Sequence, residues 1–370
     1  AAHGREPGGE KKAMTREHIE LNDFLAQPGA WLGGRGPQAE IVISSRVRLA
    51  RNLACHRFAA RISPEEKAEI ARTVQAALER VDAGADLTYF EVESMSDLDR
   101  QFLLERHLIS REHMNTDGPR GVAIDATERL SVMVNEEDHL RLQALQCGLQ
   151  LDACYAMACQ VDDALSQELD YAFDADRGYL TACPTNIGTG LRVSVMLHLP
   201  ALVMTQHIER AFRAVQDMKL AVRGLYGEGT EAYGEFYQIS NQITIGRSEE
   251  DIIADLGAFV EGIIAYETKA RERLQETEST KIEDRIWRSY ATLQHARIVN
   301  SEEALRLLSS VRLGVQQGIL PAMERQHLNQ IFLLVQPGHL QRLEGRELST
   351  DERDVIRATY IRSQLAAARN

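Results

Sequence analysis

The sequence lacks the features that would place a protein in a membrane, on nucleic acid or outside the cell. No apolar run approaches the roughly 20 residues of a membrane span. Basic residues are fewer than acidic ones, 42 against 55, so the formal net charge is −13. This argues against a nucleic-acid-binding surface, which needs excess positive charge to displace counterions. The five cysteines form no C-x-x-C pair, and we expect free thiols in a cytoplasmic protein.

Two common phosphate-binding signatures are also missing. The chain contains no G-x-x-x-x-G-K-[ST] sequence. Its Gly188-Thr189-Gly190 segment lacks the third glycine of a dinucleotide-binding fingerprint. A nucleotide would therefore have to be bound by other groups.

The composition is that of a soluble globular protein, with 44% hydrophobic and 26% charged residues. Residues 1–14 are polar and rich in glycine, and we predict a disordered leader. Strand patterns end near Ser248, and helical periodicity follows in the segments 248–275, 280–296, 301–317, 321–341 and 350–367. We therefore predict a catalytic domain at 15–267 and a helical C-terminal domain at 268–370.

The stretch from Cys183 to Pro200 combines a glycine turn with a strand that begins at an arginine. Cys183-Pro184 ends an extended run, and the two glycines at 188 and 190 permit positive φ angles and close approach of a ligand. Arg192 then opens an alternating, β-branched strand. The pattern indicates an anion site or, alternatively, a hairpin with a surface arginine.

Three other segments carry charged residues in suggestive positions. Arg46 and Arg48 project from one face of an extended segment, as a phosphate site or as a solvated basic edge. Arg141 follows the acids 136–138, which either face a cationic substrate or open a helix predicted to extend from Leu142 to about Leu169. The glycine-rich loop after Arg223 contains Glu228, as a lid over a site or as a flexible hairpin.

Together these segments place arginines at the ends of separate strands, at positions 46, 48, 141, 192 and 223. Convergent guanidinium groups would bind a polyphosphate and neutralise the charge of a phosphoryl group during its transfer. The carboxylates of Glu137 and Glu228 suggest a cationic acceptor.

Four motifs in this order resemble those of the phosphagen (guanidino) kinases: SSRVRLARN at 44–52, VNEEDHLR at 134–141, CPTNIGTGLR at 183–192 and RGLYGEG at 223–229. Within that family the chain is most similar to the bacterial protein arginine kinases. It has the LYGEG form of the loop and an R-D-x-x-R-A sequence at 353–358. We also expect the helical N-terminal domain that creatine and arginine kinases carry before the first motif to be missing.

The resemblance implies roles for individual residues. Glu137 and Glu228 match the catalytic carboxylates, and Cys183 matches a cysteine that assists by holding the guanidinium. The C-terminal signature implies an allosteric phosphoarginine pocket formed by Arg353, Asp354, Val355, Ile356, Arg357 and Ala358. The ATP contacts fall on Ser44, Ser45, Arg46, Val47, Arg48, His107, Arg141, Arg192, Val193, Ser194, Val195, Met196, Arg223, Gly224, Leu225, Tyr226, Gly227 and Glu228.

The resemblance further implies an α+β fold, with a mostly antiparallel sheet flanked by helices and followed by an all-α C-terminal domain that forms a homodimer. It implies ATP and Mg²⁺, with the metal held by the phosphates and not by protein side chains. The expected partners are proteins that present arginine, a zinc-containing activator and the Clp protease unfoldase. Two rival hypotheses are a kinase for free arginine or another small guanidino compound and a non-catalytic phosphoarginine-binding adaptor.

Overall fold

The computed structural model describes residues 19–224 and 233–368. An eight-stranded antiparallel sheet has the order β2-β3-β4-β5-β1-β8-β10-β9, and β6 and β7 form a separate two-stranded ribbon. The strands are β1 (Val42–Arg51), β2 (Leu87–Glu91), β3 (Gly121–Asp125), β4 (Leu130–Val134), β5 (Leu140–Cys147), β6 (Phe173–Asp174), β7 (Gly178–Tyr179), β8 (Leu191–His198), β9 (Leu220–Gly224) and β10 (Phe236–Asn241).

Helices cover much of this sheet and form the C-terminal third of the chain. Capping boxes at Ser63 and Ser349 begin α2 and α12, as the sequence predicts. The helices are α1 (Asp23–Ala26), α2 (Pro64–Arg80), α3 (Asp97–Glu105), α4 (Arg111–Asn115), α5 (Leu151–Ser166), α6 (Pro200–Met204), α7 (Ile208–Asp217), α8 (Glu249–His295), α9 (Ser301–Gln316), α10 (Arg325–Leu334), α11 (Pro337–Glu344) and α12 (Thr350–Ala367). The predicted α+β class with a mostly antiparallel sheet and a helical C-terminal region is confirmed.

The strands at the centre of the sheet have one apolar face and one polar face. On β1, Val47 and Leu49 are buried in the main core, where α5 packs on β1 and β5. Arg46 and Arg48 alternate with them and therefore lie on the opposite face. The same alternation places Arg192 and Ser194 of β8 on the polar face, because they pair with Arg48 and Arg46. The sheet thus collects polar side chains from distant parts of the sequence.

The predicted helix from Leu142 to Leu169 is wrong in its first part. Residues Leu140–Cys147 form β5, which pairs with β1 on one side and β4 on the other, and the helix α5 begins only at Leu151. The spacing of Leu142, Leu145 and Leu149 suits a helix, but Gly148 with its φ of +73° ends a strand here. Burial between two neighbouring strands outweighs the local pattern.

The segment between β8 and β10 also differs from the prediction. The sequence pattern of residues 201–220 predicts a single helix, but the structure has α6 and α7 there, and β9 begins at Leu220 and forms the edge of the sheet. The pattern of residues 236–246 predicts a strand, and that strand ends at Asn241. The intervening residues 225–232, including the predicted lid with Glu228, lie outside the described residues.

Helix α8 connects the sheet to the C-terminal helices. It has 47 residues and one non-helical residue, Glu278, with φ −136°. The predicted domain boundary between residues 267 and 268 lies inside this helix and stays a prediction. Glu267 is fully buried and accepts hydrogen bonds from the backbone N–H groups of Ala201 and Leu202 at 3.1 and 2.9 Å, so α8 is fixed to α6 at this level. Among the described helices, none combines the length and the apolarity needed to cross a membrane.

A second connection joins α3 to α11. The Glu105 carboxylate accepts hydrogen bonds from the backbone N–H groups of Gly338 at 2.8 Å and His339 at 3.1 Å, and it lies 2.7 Å from Nδ1 of His339. Glu105 and His339 are both buried. The N-terminus of α11 is therefore bound by a carboxylate of α3. The negative charge of this carboxylate also interacts favourably with the positive end of the helix dipole.

His198 provides a stability prediction. It is fully buried, stacks on Phe236 at 4.8 Å and lies 2.8 Å from Ser309 Oγ, and burial holds its pKa well below 6.5. Its stabilising neutral form is fully present above pH 6.5, and stability is lost as the pH falls below 6.5, because only the unfolded chain takes up the proton. When the pH is lowered from 7.5 to 5.5, we expect the free energy of unfolding of a His198→Gln variant to fall by about 1 kcal/mol less than that of the wild type. Urea unfolding at the two pH values measures this difference. Equal losses in the two proteins would contradict this assignment.

Candidate active site

An open polar cleft of about 470 Å³ lies on the polar face of the sheet. It contains a cationic wall and an acidic wall. Its lining residues are Arg48, Ala50, Glu112, Thr116, Glu136, Glu137, Arg141, Cys183, Thr185, Asn186, Gly190, Arg192 and Arg223. Four of the five predicted arginines, the predicted catalytic carboxylate Glu137 and the predicted cysteine therefore meet at one site.

The register of the sheet brings the arginines together. Arg48 of β1 stands directly opposite Arg192 of β8, and Arg141 of β5 pairs with Ala50, two residues further along β1. Arg223 of β9 pairs with Gln238 of β10. Like charges on directly opposed strand residues destabilise a sheet. Their presence here indicates a site made for an anion.

Arg46 completes the cationic wall and is held by hydrogen bonds. Its Nε donates to Ser194 Oγ at 3.3 Å, and its Nη2 donates to Gln238 Oε1 at 2.7 Å. Burial, and then repulsion by Arg192, Arg141 and Arg223, lower the pKa of Arg46 to about 10. The neighbouring guanidinium groups on the polar face therefore create a strong positive potential at Arg46.

The guanidinium of Arg48 has fewer hydrogen-bond partners than that of Arg46 among the described residues. Within the described residues its guanidinium has neither a hydrogen-bond acceptor nor a carboxylate partner, and its Nε is buried without an acceptor. Burial, followed by repulsion from Arg46, Arg141 and Arg192, lowers the pKa of Arg48 well below its usual value. A buried cation with unused donors is a binding group for a ligand oxygen.

The acidic wall is built around Glu136. This buried carboxylate accepts hydrogen bonds from Arg141 Nη1 at 2.6 Å, from the Ser110 hydroxyl, and from the backbone N–H of Glu137 at 3.1 Å. Arg141 also approaches Glu137 Oε2 at 3.3 Å. Glu136 therefore fixes both the side chain of Arg141 and the backbone of Glu137.

The Glu137 side chain is exposed on the cleft side, with 42% of its surface accessible. Partial burial raises the pKa of Glu137. Arg141 opposes this shift, whereas Asp138, Glu136 and Glu112 add to it. A carboxylate with a raised pKa that remains open to the cleft is suited to accept a proton.

Cys183 lies on the third side of the cleft. Its Sγ is 3.0 Å from Thr185 Oγ1, and the short 3-10 turn Pro184–Asn186 follows it. The loop returns to β8 through Gly190, whose φ is +65° and where an added Cβ would lie 2.6 Å from the carbonyl oxygen of Ala50. Glycine is therefore required for the loop to lie against β1 beside the arginines.

His107 lies above the cationic wall and does not line the cleft. Its carbonyl oxygen accepts a hydrogen bond from Gln143 Nε2 at 2.7 Å, and its ring meets the Trp31 ring edge-on at 5.3 Å. Burial, and then Arg46 and Arg48, lower the pKa of His107 to about 3. His107 is therefore neutral at physiological pH and can bind a ligand only as an uncharged group.

The other predicted ATP contacts divide between the two faces of the sheet. Ser44, Ser194 and Met196 share the polar face with the arginines, and Met196 borders the small cavity beside His107. Ser45 faces the opposite side, where its hydroxyl donates to Gly148 O at 2.8 Å. Val47, Val193 and Val195 are buried in the apolar core. Gly224 ends β9, and Leu225, Tyr226, Gly227 and Glu228 lie outside the described residues.

The two arginines of the C-terminal signature have different environments. Arg357 is buried and donates to the carbonyl oxygens of Val335 and Val299 at 2.8 and 2.9 Å and to Asp354 Oδ1 at 2.5 Å. Arg353 is more exposed and donates to Leu348 O and Thr350 Oγ1. Val355 is exposed and Ala358 is buried. Arg357 therefore links α12 to the segments that contain Val335 and Val299. Arg353 is the more accessible of the two cations.

Three residues that shape the site were missed by sequence reasoning. Glu136 adjoins Glu137 in the acidic run, so its position was visible but its buried role was not. Glu112 and Gln238 are distant in sequence from every motif arginine, and only the fold brings them to the site. Within 19–224 and 233–368 no group of three or more His, Cys, Asp and Glu side chains is arranged to bind a metal ion.

Comparisons with known proteins agree with this geometry. The ATP:guanido phosphotransferase C-terminal catalytic domain matches residues 69–270, and the protein-arginine kinase McsB C-terminal domain matches residues 279–370. A protein-arginine kinase of Symbiobacterium thermophilum is 49% identical over 91% of this chain and 96% of its own length. One of Geobacillus stearothermophilus is 47% identical over 92% of this chain and 95% of its own.

Solved structures of guanidino kinases share the fold. The duplicated taurocyamine kinase of Schistosoma mansoni, with bound transition-state analogue components, aligns with TM-score 0.57 and 27% identity. It is matched over 66% of this chain, which spans about a third (36%) of that duplicated enzyme. Lombricine kinase aligns with TM-score 0.53 over 68% of this chain and 71% of its own, at 24% identity, which shows the fold alone.

The match over residues 69–270 places this antiparallel sheet and its cleft in the class of ATP:guanido phosphotransferases. The matches over both parts of the chain narrow that class. The chain belongs to the protein-arginine kinase family, and it is an ATP-dependent kinase that phosphorylates arginine in proteins.

Proposed function

We propose that the cationic wall binds the phosphates of Mg-ATP and that Glu137 accepts a proton from the arginine side chain under attack. The observation that carries this proposal is the meeting of Arg48, Arg141, Arg192 and Arg223 with Glu137 in one cleft. The mutual repulsion of the arginines is relieved when phosphate oxygens lie between them. Mg²⁺ arrives with the nucleotide as part of the substrate, and phosphate oxygens and water supply its ligands.

ATP, the acceptor arginine and Glu137 supply all the groups that the transfer step needs. A guanidinium nitrogen of the acceptor forms a bond to the γ-phosphorus as the bond to the β–γ bridging oxygen of ATP breaks. The proton leaves that nitrogen for Glu137, and ADP leaves with the electrons of the broken bond. Because a guanidinium pKa exceeds 12, a carboxylate removes the proton only in concert with attack. Alignment in the cleft therefore supplies much of the acceleration.

Arg141 contacts both the acidic wall and the cleft, and this placement suits the transfer step. It contacts Glu136 and Glu137 here, and it faces the same cleft as the other arginines. Binding of a phosphate would draw its guanidinium away from Glu137, which leaves that carboxylate for the acceptor. From the family resemblance, we assign to Glu228 a second contact with the guanidinium of the acceptor and to Cys183 an assisting contact with it.

The first experiment is phosphorylation of a bystander protein. In a mixture of casein, free arginine, ATP, Mg²⁺ and this protein, casein should acquire acid-labile phosphate on arginine, identified by mass spectrometry. Free arginine as the sole labelled product would favour the rival hypothesis of a small-guanidino kinase. Absence of ATP turnover would favour the adaptor.

We further propose, on the family resemblance, a cytoplasmic homodimer that dimerises through its helical region. Its products would be recognised by the Clp protease unfoldase during stress, and a zinc-containing activator would regulate it. The charge of −13 and the free cysteines are compatible with this setting.

The allosteric pocket proposed at Arg353–Ala358 is best tested through Arg353. An Arg357→Ala change removes three hydrogen bonds of a buried cation and should destabilise the fold by about 3 kcal/mol or more, so any loss of regulation would be ambiguous. We expect Arg353→Ala to abolish activation by added phosphoarginine while the midpoint of thermal unfolding stays within about 2 °C of the wild type. Identical activation curves for the two proteins would argue against the pocket.

A further inference from the structure

The acidic wall contains a carboxylate that the reaction proposed above does not use. Glu112 of α4 lines the cleft together with Glu137 and Cys183. It is exposed, and within the described residues its carboxylate has no hydrogen-bond donor or cation as a partner. The acidic neighbours that raise the pKa of Glu137 include Glu112, although the two are 25 positions apart in sequence.

The position of Glu112 is fixed by the same carboxylate that fixes Glu137. Ser110 caps α4, accepting a hydrogen bond from the His113 N–H at 2.9 Å, and its hydroxyl also binds Glu136. Glu136 in turn accepts the N–H of Glu137 at 3.1 Å. The carbonyl oxygen of Glu112 accepts hydrogen bonds from both Thr116 N–H and Thr116 Oγ1, at 2.8 and 2.7 Å. Both acids are therefore held on one framework at the acceptor side.

We propose that Glu112 determines acceptor specificity, by disfavouring an acceptor with a free α-carboxylate, which free arginine has and an arginine residue within a polypeptide lacks. The two acceptors share a guanidinium but differ at the other end of the side chain. Free arginine carries an α-ammonium and an α-carboxylate there, whereas a residue within a chain carries neutral peptide groups. A carboxylate on the rim of the cleft repels the α-carboxylate, and a peptide group has no charge for it to repel. This inference rests on the proposed role of Glu137, because it takes the guanidinium to lie against that residue.

The discrimination comes from repulsion, so it needs no pocket shaped for a polypeptide. An open cleft admits both acceptors, and the charge on its rim decides between them. The effect should be about fivefold, the size of a like-charge interaction between partly solvated groups, and it should weaken as salt screens the rim.

The test uses two inhibitors that differ by one group. Agmatine is arginine without its carboxylate and keeps the ammonium group, so the comparison isolates the carboxylate, and both compounds compete with a peptide substrate through their guanidinium. In the wild type we expect agmatine to inhibit peptide phosphorylation more strongly than free L-arginine does. The ratio of the two inhibition constants should fall about fivefold in Glu112→Gln and stay near the wild-type value in Glu112→Asp.

Controls separate this proposal from a structural effect. Glu69→Gln removes an exposed carboxylate from α2, outside the cleft, and should leave the ratio unchanged. Glu112→Gln should also move the acid limb of the pH–rate profile to lower pH, because Glu137 loses one repulsive neighbour while Arg141, Asp138 and Glu136 still face it.

A ratio in Glu112→Gln within twofold of the wild type would overturn the proposal, provided that Glu137→Gln is inactive. If Glu137→Gln is active, the proposed function fails first. The two failures are thus distinguishable.

Discussion

Replacement of Glu137 by glutamine is expected to lower kcat by a factor of about 10² to 10⁴, the usual contribution of a positioned base. Glutamine keeps the shape of the side chain but accepts no proton at this step. The affinity for ATP should stay within about threefold, because Arg141 loses a competing carboxylate and remains free to bind phosphate. Stopped assays for kcat and nucleotide titration measure the two quantities separately.

A Glu69→Gln variant provides the matched control, since it removes a carboxylate outside the cleft. Activity above a tenth of the wild-type value in Glu137→Gln would show that another group takes the proton. The pH dependence gives a second criterion. The pKa of Glu137 is raised and the active form is the carboxylate, so activity should fall as the pH drops through that raised value. His107, with a pKa of about 3, does not contribute to this limb.

Replacement of Arg48 by methionine is expected to separate stability from activity. The guanidinium is buried without partners among the described residues and is repelled by its neighbours, so an unbranched apolar side chain should raise the midpoint of thermal unfolding in the absence of ATP. Activity should fall by about 10² to 10³ in kcat/KM, because one charge that stabilises the transferring phosphoryl group is lost.

Arg46 is the comparison for this variant. Its guanidinium is hydrogen-bonded to Ser194 and Gln238, so Arg46→Met removes native bonds and should not raise the unfolding midpoint. ATP should stabilise the wild type strongly and Arg48→Met weakly, by linkage of binding to folding. A lower midpoint for Arg48→Met without ATP would mean that the arginine stabilises the fold.

The sequence was informative where chemistry and periodicity coincide. Arg46 and Arg48 are two residues apart, so their common face follows from strand geometry alone. The convergence of Arg141, Arg192 and Arg223 with them was predicted by the motif series and not by spacing. Their meeting depends on the strand order β5-β1-β8-β10-β9, which places five strands side by side, four of which carry the arginines.

Other features could not be read from the chain. The leucines of β5 fit a helix and a strand equally, and only the two neighbouring strands decide between them. Glu112 carries no local signature, because its role depends on its position in the same cleft as Glu137, which is 25 positions away in the sequence. Arg357 belongs to a recognisable signature, yet the carbonyl groups that it binds come from Val335 at the C-terminal end of α10 and from Val299 in the connection before α9.

The binding of α11 by Glu105 has a mechanical consequence. Glu105 is followed by Arg106 and His107, so the residue that fastens the C-terminal helices is two positions from the one that rests above the cationic wall. A rotation of α11 must either stretch the bonds to Gly338 and His339 or pull the end of α3 along with it. We therefore expect a movement of α11 to be transmitted to the end of α3, two residues before His107.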